Sequence, residues 1–303
     1  MRIKVLGSAA GGAFPQWNCA CPNCRRLRAG KFAGTPRAQT QLAWSSTPDQ
    51  WGLVNASPDL RAQVEATPEL WPQSANRHSP IRNVVLTGGE IDEVLGLLVL
   101  REFHSFCIHA TRSIRRVLTE DNSLFGVLAR YAGQVSWHDL PLDKPFFAGG
   151  ARLEALRLPG SFPRFVSRSR IAALARDESV IGLSILPEPG GYTLAFLPAV
   201  CCIPDRLLEQ LKECDVLLFD GTFWSDDEPA HMTGMGRSAC DMGHMPIGGT
   251  GGSLARLAGL RCSRKIFIHI NNTNPILDGE SAEYRTVCEA GWEVAWDGME
   301  ITL

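Results

Sequence analysis

An α/β (α+β) fold, with a mixed sheet covered by helices, is what the sequence predicts, and three observations point to it. Short β-branched runs recur along the chain; some follow one another directly and others alternate with helical stretches, which fits neither pure βαβ units nor all-β hairpins. No internal repeat or low-complexity linker interrupts the 303 residues, so one domain over 1–303 is expected. A composition of 45% hydrophobic and 20% charged residues supplies a sizeable core and excludes disordered, collagen-like and coiled-coil chains.

Element by element, Ile3–Leu6 reads as a buried strand and Gly7–Gly12 as the loop that leaves it. That loop matches neither GxGxxG nor GxxxxGK, so no dinucleotide site is expected. Thr40–Trp44 and Trp51–Asn55 read as a hairpin. Ser57-Pro58-Asp59 supplies a cap, a first-turn proline and an acid for a helix through Leu60, Val64 and Ala66. Asn83–Leu86 is a strand ending at Thr87-Gly88-Gly89, and Val94–Glu102 an apolar helix. Further strands are expected at Phe106–Ala110, Arg152–Leu158, Ile181–Leu186, Tyr192–Leu197, Val216–Phe219, Lys265–Ile270, Glu293–Trp296 and Ile301–Leu303. Helices are expected at Ser113–Leu118, Ser123–Tyr131, Pro204–Glu213 and Ser253–Leu257, and the arginine-rich stretch Arg164–Asp177 reads as a mobile loop or lid.

Thirty Lys+Arg against 32 Asp+Glu leave a net charge of -2, so no global basic field draws the chain to nucleic acid or anionic lipid. The start carries too short an apolar run for a signal peptide, and no stretch approaches a membrane span; a cytoplasmic location without membrane insertion is the expectation. Ten cysteines in such a setting need not form disulfides. Cys19, Cys21 and Cys24 form a C-x-C-x-x-C cluster whose Pro22-Asn23 turn brings the sulfurs together, and three thiolates with one further ligand suit a structural zinc. The other seven cysteines read as core residues.

Glu90, Asp92 and Glu93 stand between a buried strand and a buried helix, where they either bind a cation or cap the helix. Asp220 ends the strand Val216–Phe219. His244, in Met242-Gly243-His244, and His269, followed by Asn271-Asn272-Thr273-Asn274, are the two histidines with polar, strand-end surroundings. His78, His104, His109, His138 and His231 lack such surroundings.

The ordered set Gly-Ser-Ala-Ala-Gly-Gly (7–12), Pro-Gln-Trp-Asn-Cys (15–19), Asn-Ala-Ser-Pro-Asp (55–59), Leu-Leu-Val-Leu-Arg-Glu (97–102), Asp-Gly-Thr (220–222), Met-Gly-His (242–244) and His-Ile-Asn-Asn-Thr-Asn-Pro (269–275) closely resembles the pyrroloquinoline quinone (PQQ) biosynthesis protein B family over the whole chain. The resemblance implies a metallo-β-lactamase-type αββα sandwich of two mixed sheets. By analogy with the zinc cluster of the related phosphoribosyl cyclic phosphodiesterase, it implies zinc at Cys19, Cys21 and Cys24, with Asn272 or His269 near the fourth place. The superfamily signature H-x-H-x-D-H is represented here by Gly88-Gly89-Glu90-Ile91-Asp92-Glu93, in which only Asp92 matches and Glu93 stands where the family keeps a histidine. An ordinary two-zinc hydrolase is therefore not expected. A single iron or zinc held by Asp92, Glu93 and His269, with Asp220 or His244 nearby, remains open.

The resemblance further implies a role in PQQ biosynthesis on a Glu–Tyr-derived precursor. One version is Fe(II)- and oxygen-dependent hydroxylation of the tyrosine ring. The other is a non-catalytic carrier that binds PQQ or its precursor and helps transport it towards the periplasm. The expected partner is thus a small-molecule or dipeptide precursor, and a homodimer is the assembly to test for.

Overall fold

The computed structural model describes residues 1–47, 49–74, 76–186, 191–233 and 236–303. In chain order its strands are β1 (Arg2–Gly7), β2 (Gln41–Thr47), β3 (Gln50–Val54), β4 (Ile81–Val85), β5 (Phe106–Ala110), β6 (Val135–Asp139), β7 (Pro145–Ala148), β8 (Ala151–Arg157), β9 (Ile181–Leu186), β10 (Leu194–Leu197), β11 (Val216–Asp220), β12 (Arg264–Ile268), β13 (Glu293–Val294) and β14 (Glu300–Thr302). The chain divides into two compact units: Met1–Leu6 with Gln41–Gly191 and Gly298–Leu303, and Gly7–Thr40 with Tyr192–Asp297.

In the first unit a mixed sheet runs β14-β1-β2-β3-β4-β5-β6. β1 meets β14 and β2 meets β3 antiparallel, whereas β3, β4, β5 and β6 are parallel neighbours. Both contacts of β8, with β7 and with β9, are antiparallel. The core of this unit gathers Trp51, Leu53, Val84, Ile108, Leu97, Val117 and Phe125, all buried. The second unit holds the parallel strands β10 to β13. Strands buried on both faces need apolar side chains at every position, and Val216-Leu217-Leu218-Phe219 of β11 shows that requirement. Phe267 stacks on Trp292 at 4.2 Å, and Phe219 meets the same indole edge-on at 6.4 Å.

Several boundaries differ from the sequence reading for local reasons. The helix expected from Ser57 begins at Leu60: the Ser57 hydroxyl accepts from the Asp59 N–H at 3.2 Å, closing a turn ahead of the helix, and the Asp59 side chain makes no cap bond. The apolar stretch after Glu93 is one α-turn, Ile91–Val94, followed by a 3-10 helix, Leu95–Arg101. There the Gly96 N–H leaves the helical pattern to bond Ala56 O at 2.8 Å. Ser123–Ala129 is likewise 3-10. β6 and β7 go unmarked in the sequence because they are short and largely exposed; in β6 only Val135 and Trp137, alternating with Ser136 and His138, pack against the core. The arginine-rich stretch contains a helix, Arg168–Ile171, buries Val166 and Leu174 in the core, and pairs Arg170 with Glu120 and Asp121 at 2.6 and 2.7 Å. No helix among the described residues is long and apolar enough to cross a membrane.

Candidate functional site

Carboxyl ends of parallel strands are where ligands collect, and the second unit places three ligating side chains there. Asp220 closes β11 and is fully buried. The β11/β12 register sets Asp220 opposite Ile268, so His269, the next residue, leaves β12 beside it. His244 arrives by a different route. The short helix Cys240–Met242 ends at Gly243, whose φ of 92° turns the chain and allows the His244 N–H to bond back to Ala239 O at 3.0 Å. One ligand atom from each of Asp220, His244 and His269 lies within 4.8 Å of the other two.

The hydroxyl of Thr222 organises this group. Burial of the Asp220 carboxylate is offset by four donors: Val200 N at 2.8 Å, Thr222 N at 3.0 Å, Thr222 Oγ1 at 2.6 Å and His244 Nδ1 at 2.8 Å. Thr222 has one hydroxyl proton, and its nearest acceptor is this carboxylate. The same hydroxyl lies 2.9 Å from His269 Nδ1, 2.9 Å from His269 O and 3.1 Å from His244 Nδ1. Both imidazoles thus turn Nδ1 towards the Thr222 hydroxyl, and His244 turns it towards the Asp220 carboxylate as well. The rings stack with centroids 5.3 Å apart, and Phe223 packs edge-on to His244. His269 has φ of 57°, a left-handed conformation costly for a side chain of this size. It is held there by the bond from Ile270 N to Ser8 O at 3.0 Å and by its contacts with Thr222.

The cysteine cluster lies in the same unit. Sγ atoms of Cys19, Cys21 and Cys24 converge within 4.8 Å. Cys21 caps the helix Pro22–Arg28, its sulfur accepting from Cys24 N, while Cys19 Sγ accepts from Cys21 N, both at 3.4 Å. Burial raises the Cys19 thiol, but hydrogen bonds from Cys21, Cys24 and Asn272 outweigh it and hold the group below the ordinary thiol value. Burial pushes the Cys24 thiol up to about 12. Asn272 sets its amide nitrogen 3.1, 3.6 and 3.5 Å from the sulfurs of Cys19, Cys21 and Cys24. Of the two residues expected near the fourth place, Asn272 therefore stands at the sulfurs, and His269 belongs to the other group.

Asp92 and Glu93 lie in the first unit, on the turn Ile91–Val94. The Glu93 carboxylate accepts from Thr87 Oγ1 at 2.9 Å and from Glu90 N at 3.0 Å, while the Glu90 side chain accepts from the Glu93 N–H, a capping box. Burial, helped by the Asp92 charge, raises Glu93 to about 8. A Cβ on Gly88 would lie 2.3 Å from Glu93 Oε2, so only glycine lets the carboxylate approach the Thr87 turn. Asn55, itself left-handed at φ 64°, binds Thr87 through both ends of its amide at 2.8 Å.

Thr222, Asn55 and Thr87 were not singled out from the sequence. For Thr222 a signal existed in the spacing Asp-Gly-Thr, which allows a hydroxyl two residues on to fold back onto the carboxylate. Asn55 and Thr87 are brought together by neighbouring strands, and nothing local announces them.

Comparison with known proteins agrees with these features. The β-lactamase superfamily domain matches residues 50–270. The coenzyme PQQ synthesis protein B of Xanthomonas campestris pv. campestris (strain B100) is 42% identical and that of Methylobacterium sp. (strain 4-46) 43%, each aligned over the full length of both chains. The crystal structure of Zn(2+)-bound PqqB from Methylobacterium extorquens superposes with a TM-score of 0.93 at 38% identity, covering all of both chains. A diphosphatase of the PhnP family, 19% identical, shares the fold with a TM-score of 0.68 over the whole of this chain and 97% of its own. The chain has the metallo-β-lactamase fold with two mixed sheets, and it belongs to the coenzyme PQQ synthesis protein B family.

Proposed function

We propose that the protein serves PQQ synthesis in the cytoplasm by metal- and oxygen-dependent hydroxylation of the tyrosine ring in a Glu–Tyr-derived precursor. The observation that carries this reading is the grouping of Asp220, His244 and His269. Two histidines and one carboxylate on one side of an ion are the ligand set of non-haem Fe(II) oxygenases. The donor set therefore fits Fe(II), which when bound supplies the activation of O2. Hydroxylation places one oxygen atom on the ring and reduces the other to water with two electrons from a co-reductant. The residues themselves contribute orientation. Contacts with Thr222 and Asp220 hold the two rings in orientation, and Val200 N and Thr222 N keep the carboxylate from turning away.

The cysteine cluster has a separate role in this reading. Cys19, Cys21 and Cys24 hold a structural zinc, as their soft, converging donors suit, and Asn272 completes the set by presenting its amide oxygen in place of the nitrogen. The zinc named for the Methylobacterium extorquens relative supports a zinc in this chain. Glu93 anchors Thr87 and the helix start rather than a metal, in keeping with its hydrogen-bond partners.

Anaerobic purification followed by measurement of iron and zinc per chain, then addition of Fe(II), O2, a reductant and a Glu–Tyr dipeptide substrate, tests the proposal. Zinc in the cysteine cluster, Fe(II) uptake lost in His269→Ala, and a ring-hydroxylated product are expected. One tight zinc with no second metal and no oxygen uptake would overturn the oxygenase reading and leave the carrier role.

A further inference from the structure

The two clusters of the second unit are joined by one short loop, and that loop is held from both sides. Asn23, in the first turn of the helix Pro22–Arg28, directs its amide nitrogen at three successive carbonyls: Asn272 O at 3.2 Å, Thr273 O at 3.1 Å and Asn274 O at 3.1 Å. Two amide hydrogens thus serve three acceptors. The helix carrying Asn23 also carries Cys24 and is capped by Cys21, so its placement is set by the cysteine cluster. From the other side, Asn271 N bonds Thr222 O at 3.1 Å, and the fully buried Asn274 donates to Gly221 O at 2.9 Å and Thr222 O at 3.3 Å. Thr222 is the residue whose hydroxyl meets Asp220 and His269.

We infer that Asn23 is a positioning residue for the Asp220–His244–His269 group, transmitting the geometry of the cysteine cluster through the 272–274 carbonyls to Thr222 and His269. The inference rests on reading that group as a metal site. Because His269 occupies a strained backbone conformation, it relaxes when the loop that follows it is released. The hydrogen bonds of Asn23 are made to main-chain oxygens, so they constrain where the loop runs whatever its side chains are.

The test uses full-length protein carrying zinc in the cysteine cluster, titrated with Co(II). Binding to Asp220, His244 and His269 is followed by the visible bands of cobalt with nitrogen and oxygen ligands. A thiolate-to-cobalt charge-transfer band would instead report exchange at the cysteines. Asn23→Asp, which keeps the shape but turns an acceptor towards three carbonyls, and Asn23→Ser are expected to retain zinc. Both should show no charge-transfer band and bind Co(II) roughly 10-fold more weakly or worse, the usual cost of losing an outer-shell support. Asn23→Gln, which keeps the donor, should recover much of that affinity. Unchanged Co(II) affinity in zinc-retaining Asn23→Asp and Asn23→Ser would overturn the inference, as would equal losses in Asn23→Gln and Asn23→Ser, which mark a general packing defect. If unsubstituted protein binds no Co(II) with nitrogen and oxygen ligands, or His269→Ala binds it equally well, the metal-site reading itself fails. That outcome is visible before any Asn23 variant is made, and the inference falls with it.

Discussion

Thr222 and Gly88 are small residues whose neighbours make them consequential. Thr222→Val preserves shape while removing the hydroxyl that meets Asp220 and His269. Metal affinity of the histidine group should fall about 10- to 100-fold with little change in folding, as isothermal titration of Fe(II) under anaerobic conditions would record. Gly88→Ala drives a methyl into the Glu93 carboxylate and should cost about 1–3 kcal/mol in urea unfolding. Unaltered stability would mean that Glu93 has another rotamer available. Much of the candidate site was legible at this scale, since Asp220, His244 and His269 stand out as ligating types at strand ends or beside polar turns. The pairing of Asp220 with His244 was not. It depends on Gly243 turning the chain back after a three-residue helix, and the sequence separation of 24 positions between the two residues carries no periodic signal.

At the scale of elements, the helix Glu228–Thr233 brings a titratable group that no sequence motif marks. Glu228 accepts from Trp224 N at 2.6 Å and from the Thr273 hydroxyl, and burial raises its carboxyl to about 7. An acid whose folded value lies above its unfolded one binds more protons in the folded state. Its contribution is therefore fully present below about pH 4.5 and is lost as pH rises towards 7. Glu228→Gln should accordingly flatten the pH dependence of unfolding free energy between pH 5 and 7, by up to roughly 1 kcal/mol per pH unit. Parallel slopes for the two proteins would show that Glu228 titrates normally. Element types followed a similar division. The apolar β11 and β12 were legible from their runs of Val, Ile, Leu and Phe, whereas the 3-10 stretch Leu95–Arg101 was not, because what breaks its α-pattern is a bond from Gly96 to the distant Ala56.

Over the whole molecule, the family and the fold were carried by motifs spread from residue 7 to residue 275, and the match to the Methylobacterium extorquens structure correspondingly covers all of both chains. The division into two units was not visible, because each is assembled from separate stretches and no linker composition marks the crossings. A metal held by the cysteine cluster, as proposed, would couple to folding, since the unfolded chain has no preformed site. Cys21→Ala, or treatment of the unsubstituted protein with a strong chelator, should remove zinc and lower the thermal midpoint by several degrees in calorimetry. A chelated protein that melts unchanged would assign the sulfurs no structural ion.

The backbone at residue 269 has a practical consequence. A φ of 57° is one that glycine adopts freely and histidine does not, so the imidazole is retained there against the conformational preference of its own main chain. Loss of the ring and relief of the backbone oppose each other in His269→Gly, and that variant should fold with a melting temperature close to that of the unsubstituted protein while losing the metal. It would supply a well-folded, metal-deficient control in which lost chemistry is cleanly separable from lost structure.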